Sequence, residues 1–490
     1  MASLEELRQV RLQKIDVLKK HGIDPYPIKT AKQYENTDVI QKFETLSKEK
    51  TLTLAGRVMS LRPQGGLIFL NFNDGSAVFQ ALLKKGDTLE KDFDLFSETV
   101  DVGDFVEVTG SLFETKRGEK TLLVSSWRML SKAILPLPEK WHGLQDVEER
   151  FRKRYLDLIA SPEVKQRFTF RSRLITELRA SLERAGFLEV ETSMLQTLAG
   201  GTNAEPFKTH HNALQIDLHL RIAQELDLKK LLIGGFPKVY EIGRNFRNEG
   251  IDVTHNPEFT TVEWYQAYSD ASGQMAFVEK IIKGLVEKIA GGAKIIYGGN
   301  EVDFSKKFKT ATFYEILEKH ASIHDAASLT LDALKKKAAE LKIKVDDSDT
   351  LEKVLDTIYK RICRPYLIQP TFITDFPIHY LPLAKKKSDD PKLVDAFQLV
   401  AGGMELVKAF SELNDPLDQR ARFAEQEKNR KAGDKEAQPN DEAFLEALEH
   451  GMPPAGGVGI GIDRLTMLLN DQKNIREVIF FPTLRPKGDA

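Results

Sequence analysis

The spacing of apolar and polar positions changes character several times along the chain. From Leu4 to Lys20, Leu4, Leu7, Val10, Ile15 and Leu18 recur near one helical face, and Arg8, Arg11, Lys14 and Lys19 lie largely off it. Gly22 and Pro25 close the pattern. This predicts an amphipathic helix whose basic side suits either solvent or a nucleic-acid backbone. From Thr51 to Leu130 the period drops to two. Thr51–Leu61, Leu67–Asn73, Ala77–Leu83, Phe105–Phe113 and Thr121–Leu130 read as strands, with turns at Gly65-Gly66, Asp74-Gly75 and Arg117-Gly118. A helical stretch near Glu90–Phe96 falls between the third and fourth strands. Five strands with a helix in that place predict an OB-fold barrel, a fold that stacks bases of single strands on aromatic rings. Phe69 and Phe72 are candidate platforms, although a barrel Phe also serves as core.

Ala133–Leu144, with Pro136 and Pro138, reads as a linker, extended here to residues 133–150. Phe151–Leu158 is basic and aromatic. Glu163–Arg184 has helical spacing at Leu174, Leu178 and Leu182, and Phe187–Glu191 follows as a strand. Lys238–Arg247 and Pro257–Tyr268 read as paired strands, and Met275–Ala290 and Leu329–Leu341 as helices. The second of these lies in a stretch around 328–365 that reads as a surface insertion. Leu393–Leu399 and Met404–Leu413 form a hairpin across Gly402-Gly403. A glycine-rich strand from Gly456 runs into a helix at Leu465–Leu469, and Lys428–Asn440 reads as a solvated loop. The expectation is an α+β protein: a helical extension over 1–50, a barrel over 51–132, the linker, and a larger antiparallel sheet flanked by helices over 151–490.

Composition sharpens this in three ways. A chain of 490 residues exceeds what one hydrophobic core organises. Its 41% hydrophobic and 29% charged residues, with no apolar run of membrane-spanning length and an acidic N-terminus, predict a globular protein without a secretory leader. The lone Cys363 cannot pair within the chain, which suits a reducing cytoplasm. A net charge of −2 means that nucleic-acid binding would rest on local basic patches.

The candidate chemistry lies in the paired strands. Phe246-Arg247-Asn248-Glu249-Gly250 ends one strand, and His255-Asn256-Pro257-Glu258-Phe259 begins the next. A guanidinium fork suits a carboxylate or phosphate, and a Phe ring suits a flat heterocycle. Downstream, the glycines before Arg464 let backbone approach a ligand, and a cation at a helix start reinforces a dipole already favourable to anions. Phe259, Thr261, Glu263 and Tyr265 alternate and so share one strand face, and Phe410 and Glu412 share another. Adjacent His210 and His211 point to opposite faces of a strand, which favours structural roles over a shared metal.

The Phe246–Phe259 pattern resembles motif 2 of class II aminoacyl-tRNA synthetases. The helix and strand over Glu163–Glu191 resemble motif 1, with Ser193 where that family has Pro, and the run ending at Arg464 resembles motif 3. Three strings, His142-Gly143-Leu144-Gln145-Asp146 with Arg154-Tyr155-Leu156-Asp157-Leu158, Thr209–Leu214, and Phe410-Ser411-Glu412-Leu413-Asn414-Asp415, resemble class II lysyl-tRNA synthetases over nearly the whole chain. The resemblance implies ATP, L-lysine, tRNA(Lys) and Mg²⁺ as ligands and a cytoplasmic homodimer. It implies that Glu412 and Tyr265 hold the lysine ε-ammonium, Phe410 its stem, Gly201, Glu225 and Glu263 the α-ammonium side, and Arg247 the carboxylate and then the α-phosphate. ATP would meet Arg247, Glu249, His255, Asn256, Phe259, Glu405, Lys408 and Arg464, with adenine between Phe259 and Arg464 and the metal on Glu405. In the barrel, Arg62, Phe69, Gln80 and Glu119 would read the anticodon.

Some positions depart from the family. Gln398 stands where a second metal-binding Glu is expected, and Lys408 where Asn is usual. Each adds one positive charge, so the expectation is that Lys408 replaces part of the metal charge and fewer Mg²⁺ ions are needed. Gln224-Glu225-Leu226-Asp227 replaces a Pro-Glu-Leu-Tyr pattern. By strict alternation Glu405 faces away from Lys408, Phe410 and Glu412, so one site can use all four only through a β-bulge. Two other functions stay open from sequence: a sister synthetase for aspartate or asparagine, and a catalytically silent RNA-binding paralogue.

Overall fold

The computed structural model describes residues 3–138, 144–346, 349–431 and 438–488. His142 and Gly143, most of the proline-bearing linker's end, and residues 432–437 of the expected loop lie outside the described residues. The chain divides into two compact units, Met1–Leu144 and Gln145–Ala490.

In the first unit, strands β1 (Leu52–Gln64), β2 (Leu67–Asn73), β3 (Val78–Lys84), β4 (Phe105–Glu114) and β5 (Lys120–Ser131) close in the order β1-β2-β3-β5-β4, with a helix at Glu90–Thr99 between β3 and β4. This is the expected barrel. Alternation along β2 sends Ile68, Leu70 and Phe72 inward and leaves Phe69 half-exposed outside. Phe72 meets Phe79 edge-on at 6.3 Å in the barrel core, so it is not a stacking platform. The helix Leu4–Lys20 starts with a capping box from Ser3 and Glu6. Its two faces depart from the expectation: Leu4 and Val10 are exposed, whereas Arg11 is buried and donates to the carbonyls of Val102, Ala133 and Leu135. Lys14 pairs with Asp101 at 2.7 Å. A guanidinium paired with three carbonyls can be buried where an unpaired one could not, so part of the basic face is structural.

The second unit contains β6 (Leu188–Glu189), β7 (Leu195–Gln196), β8 (Lys208–His211), β9 (Ile216–Leu220), β10 (Lys238–Phe246), β11 (Glu258–Ala267), β12 (Lys294–Tyr297), β13 (Asn300–Asp303), β14 (Lys309–Thr312), β15 (Thr371–Pro377), β16 (Leu393–Ala401), β17 (Met404–Ser411) and β18 (Ala455–Gly461). Eight of them form one sheet in the order β14-β15-β16-β17-β18-β11-β10-β6, antiparallel except at the β14–β15 and β10–β6 pairs. Helices Pro162–Arg184 and Ala271–Ala290 cover one face. Their Leu174, Leu178, Leu182, Val278 and Ile282 pack on Val262, Trp264, Val407, Val458 and Ile460 of the sheet. Trp264 is fully buried, edge-on to Phe277 at 5.8 Å, with its Nε1 donating to Gln274 at 2.8 Å. Truncating such a side chain costs about 3–5 kcal/mol.

Two regions differ from expectation. The 328–365 stretch does not simply lie on the surface: Leu334, Ala338, Val354, Leu355 and Ile358 join a core cluster with Phe313, Phe376 and Phe410. The stretch ends in a π-helical turn, Tyr359–Cys363, and a 3₁₀ turn, Arg364–Tyr366. Lys428–Lys431 forms the last turn of the helix Pro416–Lys431 and is not loop. Phe423, buried beside Phe444 in the same core cluster, anchors that helix amid its many charges.

Candidate active site

Three adjacent strands floor a cleft on the sheet face opposite the long helices. On β11, Val262 and Trp264 point into the helix layer, so Phe259, Thr261, Glu263 and Tyr265 face the cleft. On β18, Val458 and Ile460 point inward, which leaves glycines at the cleft positions. A Cβ on Gly457 would lie 2.0 Å from Glu412 Oε1 and 2.5 Å from the Tyr265 ring, so only glycine fits there. On β17 the register slips: Glu405 pairs with Val400, but Val407 pairs with Leu399. Leu406 is the extra residue of a bulge. Leu406 and Val407 both enter the core, and Glu405, Lys408, Phe410 and Glu412 come to one side. Asp463 fixes the start of the Ile462–Leu469 helix by accepting from Arg171 at 2.5 Å and from the Thr260 amide at 2.7 Å.

One half of the cleft is crowded with buried carboxylates. Glu225, Glu263 and Glu412 are each at most 8% exposed. Burial and the Glu225 charge push the Glu263 carboxyl up to about 7. Burial also raises Glu412, further pushed by Glu225 and Glu263 and held back by an ammonium. That ammonium belongs to Lys229, which is wholly buried 2.6 Å from Glu225 and 2.5 Å from Glu412, with its Nζ 5.4 Å from the centre of the Phe410 ring. Burial opposes the Lys229 charge, but the two carboxylates outweigh it and raise its pKa. Glu412 Oε1 remains buried with no hydrogen-bond partner. Tyr265 donates to Glu263 at 3.3 Å. The Gln224 amide is oriented with its nitrogen on Glu263 Oε1 at 3.1 Å and Thr261 at 2.9 Å, because the opposite orientation sets oxygen against acceptors. Gly201, at φ +95, lies so that a Cβ would be 3.2 Å from that of Glu225. Asp227 stands aside, accepting from Gln196 at 3.1 Å.

The other half is rich in cations. The Arg247 guanidinium lies 5.0 Å over the Phe259 ring and feels the charges of Glu249 and Glu263. Arg464 donates to the Glu405 carbonyl at 3.2 Å and to His255 Nε2 at 2.9 Å. Since arginine only donates, His255 Nε2 is the acceptor, and its Nδ1–H points to Asp252 at 2.9 Å. Burial and Arg464 together lower the His255 pKa and keep the ring neutral. Asn256 is buried, its amide donating to the Glu258 carbonyl. Burial alone would raise Glu405, but Arg464, Arg364, Lys408 and Lys360 outweigh it and lower its pKa. Gln398 lies opposite Lys408 in register and accepts from the Tyr359 hydroxyl at 3.2 Å. Among the described residues no three His, Cys, Asp or Glu side chains gather as metal ligands. Glu405, in the field of four cations and with the neutral Gln398 amide on the neighbouring strand, does not suit a metal held by the protein.

The candidate barrel residues lie together. Arg62 is opposite Phe69 in register and reaches Gln80 at 3.4 Å, and Gln80 donates to Thr121 at 2.8 Å. Glu119 is exposed just before β5. His210 and His211 are exposed, His210 beside Asp217 and His211 accepting from the Leu214 amide. Sequence reasoning missed Lys229, Asp252, Lys360 and Arg364. The first had a signal, since a Lys four residues after a Glu on a helix forms a favourable pair. The others are brought in by loops and by the π-turn.

Two family models match. One, described as class II tRNA synthetases (D, K and N), matches residues 146–485, and one described as an OB-fold nucleic acid binding domain matches residues 52–130. Relatives include the lysine–tRNA ligase of Pelotomaculum thermopropionicum, 45% identical over 486 residues that cover 99% of this chain and 96% of the relative. That of Carboxydothermus hydrogenoformans is 45% identical over 484 residues, covering 99% of both chains. That of a Roseiflexus species is 46% identical over 486 residues, with the same coverage.

Proposed function

The chain belongs to the lysine–tRNA ligase family of class II tRNA synthetases, and from this premise we propose how its residues activate L-lysine with ATP and pass it to tRNA(Lys). The observation that carries the reading is the carboxylate half of the cleft. Three acids are buried there, only Glu225 and Glu412 pair with the Lys229 ammonium, and Arg247 stands at the edge of the field of Glu263. Free lysine supplies what that arrangement lacks: an ε-ammonium for Glu412 Oε1 beside Tyr265, an α-ammonium for Glu263 and Glu225 near Gly201, and a carboxylate for Arg247. Phe410 flanks the aliphatic stem. A sister synthetase for aspartate or asparagine would need an uncommitted cation where Glu412 stands, and Lys229 is already neutralised on both sides.

The reaction needs no side-chain nucleophile. A lysine carboxylate oxygen attacks the α-phosphorus of ATP in line, and pyrophosphate leaves. The terminal ribose hydroxyl of the tRNA then attacks the adenylate carbonyl, and AMP leaves. Arg247 and Arg464 bear on the charge that develops at the α-phosphate, and Phe259 orients adenine; the acceleration is placement and charge stabilisation. The family in general uses ATP with a divalent metal. We assign Mg²⁺ to ATP as its travelling counter-ion, with Glu405 the carboxylate on the cleft face that would lie beside it. On the barrel, Phe69 offers a half-exposed ring for stacking a splayed base, with Arg62, Gln80 and Glu119 at its edges. The reading places the enzyme in the cytoplasm as a homodimer. Leu188, Met194, Leu195 and Phe481 near motif 1 and the C-terminal segment are exposed apolar residues that a second copy would cover. Lysine-dependent exchange of pyrophosphate into ATP tests the activity. Exchange with lysine and none with aspartate or asparagine supports it, and no exchange with lysine overturns it.

A further inference from the structure

Outside the acid-rich half, two cations stand uncommitted on the nucleotide side. Lys408 is half-buried, shares the cleft face with Glu405, and makes no hydrogen bond or ion pair with any described residue. Arg364 follows the π-turn and likewise has no such partner; its Nε is buried and unsatisfied. Both act electrostatically on Glu405, and Arg364 acts on Arg464 as well. Lys360 from the same π-turn adds its field, although Asp356 holds it at 2.7 Å. A π-turn displaces side chains from helical phase, a device common at functional sites. Here it carries Arg364 toward the strand that bears Lys408. The neutral Gln398 sits between these elements with its oxygen occupied by Tyr359.

Burying unpaired cations is unfavourable unless an anion completes them. We infer that Lys408 and Arg364, supported by Lys360, form a polyphosphate-binding site in which side-chain cations replace protein-held divalent metal on the β- and γ-phosphates of the nucleotide. The inference rests on the reading of this cleft as an ATP site. A planar guanidinium can bridge two phosphate oxygens, and an ammonium places a point charge between them. The pyrophosphate that leaves in the first step carries the same oxygens, so the same pair would also hold that product.

The test measures equilibrium binding of ATP and of inorganic tripolyphosphate to the full chain, in EDTA and in Mg²⁺. Expected is binding in EDTA within about tenfold of that in Mg²⁺. Lys408→Gln and Arg364→Gln should each weaken binding in EDTA by about tenfold or more, the loss of one charge-assisted contact. Gln398→Glu, which adds a carboxylate and removes no cation, should restore metal dependence and raise the number of Mn²⁺ ions bound per nucleotide, counted by electron paramagnetic resonance. Failure of the wild-type chain to bind either ligand in EDTA overturns the inference, and so does unchanged EDTA binding in folded Lys408→Gln and Arg364→Gln. Two or more Mn²⁺ held per nucleotide by the wild-type protein also overturns it. Lysine-dependent exchange in excess Mg²⁺, run in parallel, separates the failures: exchange without EDTA binding sinks only the metal-sparing site, and EDTA binding without exchange sinks the ligase reading.

Discussion

The two halves of one cleft carry opposite imbalances. On the Tyr265 side three carboxylates are buried together, two of them share the ammonium of Lys229, and the third, Glu263, is pushed up to about 7. On the Arg464 side Glu405 lies in the field of four cations, Arg464, Arg364, Lys408 and Lys360, and its pKa is lowered. Both halves use the same strands, with Glu263 and Phe259 on β11 and Glu405 and Lys408 on β17, and a helix or turn adds the remaining charges. Burial magnifies like-charge repulsion in each, so the empty cleft is least comfortable where each ligand is to go. A dicationic amino acid relieves one half, and a polyanion relieves the other. On the proposed reading, a short stretch of sheet would select two cargoes of opposite sign without a separate domain for each.

The largest effect on this contrast should come from Glu412→Gln. The change leaves Lys229 paired with Glu225 alone and removes the carboxylate proposed to hold the lysine ε-ammonium; truncating one partner of such a buried charge pair costs about 2–5 kcal/mol of binding. In pyrophosphate exchange, kcat/KM for lysine should fall about a thousandfold while the KM for ATP stays near that of the wild type. An equal loss for both substrates would break the division into halves. Gly457→Ala comes next. Its methyl group overlaps Glu412 and Tyr265, and the strain of overpacking, about 1–3 kcal/mol, predicts about a hundredfold loss for lysine, again in KM and with ATP spared.

A pH series sharpens the comparison. Glu263, at about 7, is ionised above that value and protonated below it, so its pull on a cation is lost as pH falls. Lysine affinity measured by calorimetry should weaken about tenfold from pH 8 to pH 6. Because the bound cation favours the ionised form, binding should release a proton near pH 6–7, visible as a dependence on buffer ionisation enthalpy. Nucleotide binding should change less than lysine binding over that range, since Glu405 is lowered and the arginines do not titrate. The smallest effect should come from Gln224→Leu. It removes the amide that donates to Glu263, worth about 1 kcal/mol or about fivefold in lysine affinity, and moves the midpoint of the pH profile upward.

Much of this site was legible in one dimension because strands have a fixed period. The alternation of Phe259, Thr261, Glu263 and Tyr265 assigned a face before any coordinate did, and the parity conflict at Glu405 called for a bulge that lies at Leu406. Phe69 and Phe72 are three residues apart on one strand, so alternation alone allows only one of them to be outside. What was hidden depends on contacts between distant segments. Arg11 looks like surface charge until the carbonyls of Val102 and Ala133 are folded against it. Arg364 sits amid a stretch whose composition suggests exposed insertion, and only a π-turn beneath a buried Tyr359 re-aims it. Lys229 could have been found from its spacing to Glu225, but its second partner is 183 positions further along the chain, at Glu412.

Leu406 touches neither ligand, yet it is the residue that keeps Glu405 in step with Lys408 and Glu412. Excising that one leucine would return β17 to strict alternation. Either the acid or the whole downstream run would then rotate into the greasy layer beneath the long helices. A mutation screen that substitutes side chains one at a time would score the position as mere packing; a screen of single-codon deletions would find it among the most sensitive in the chain. The spare residue works as a phase shifter, and the ability of one strand to serve two chemistries depends on its length as much as on its letters.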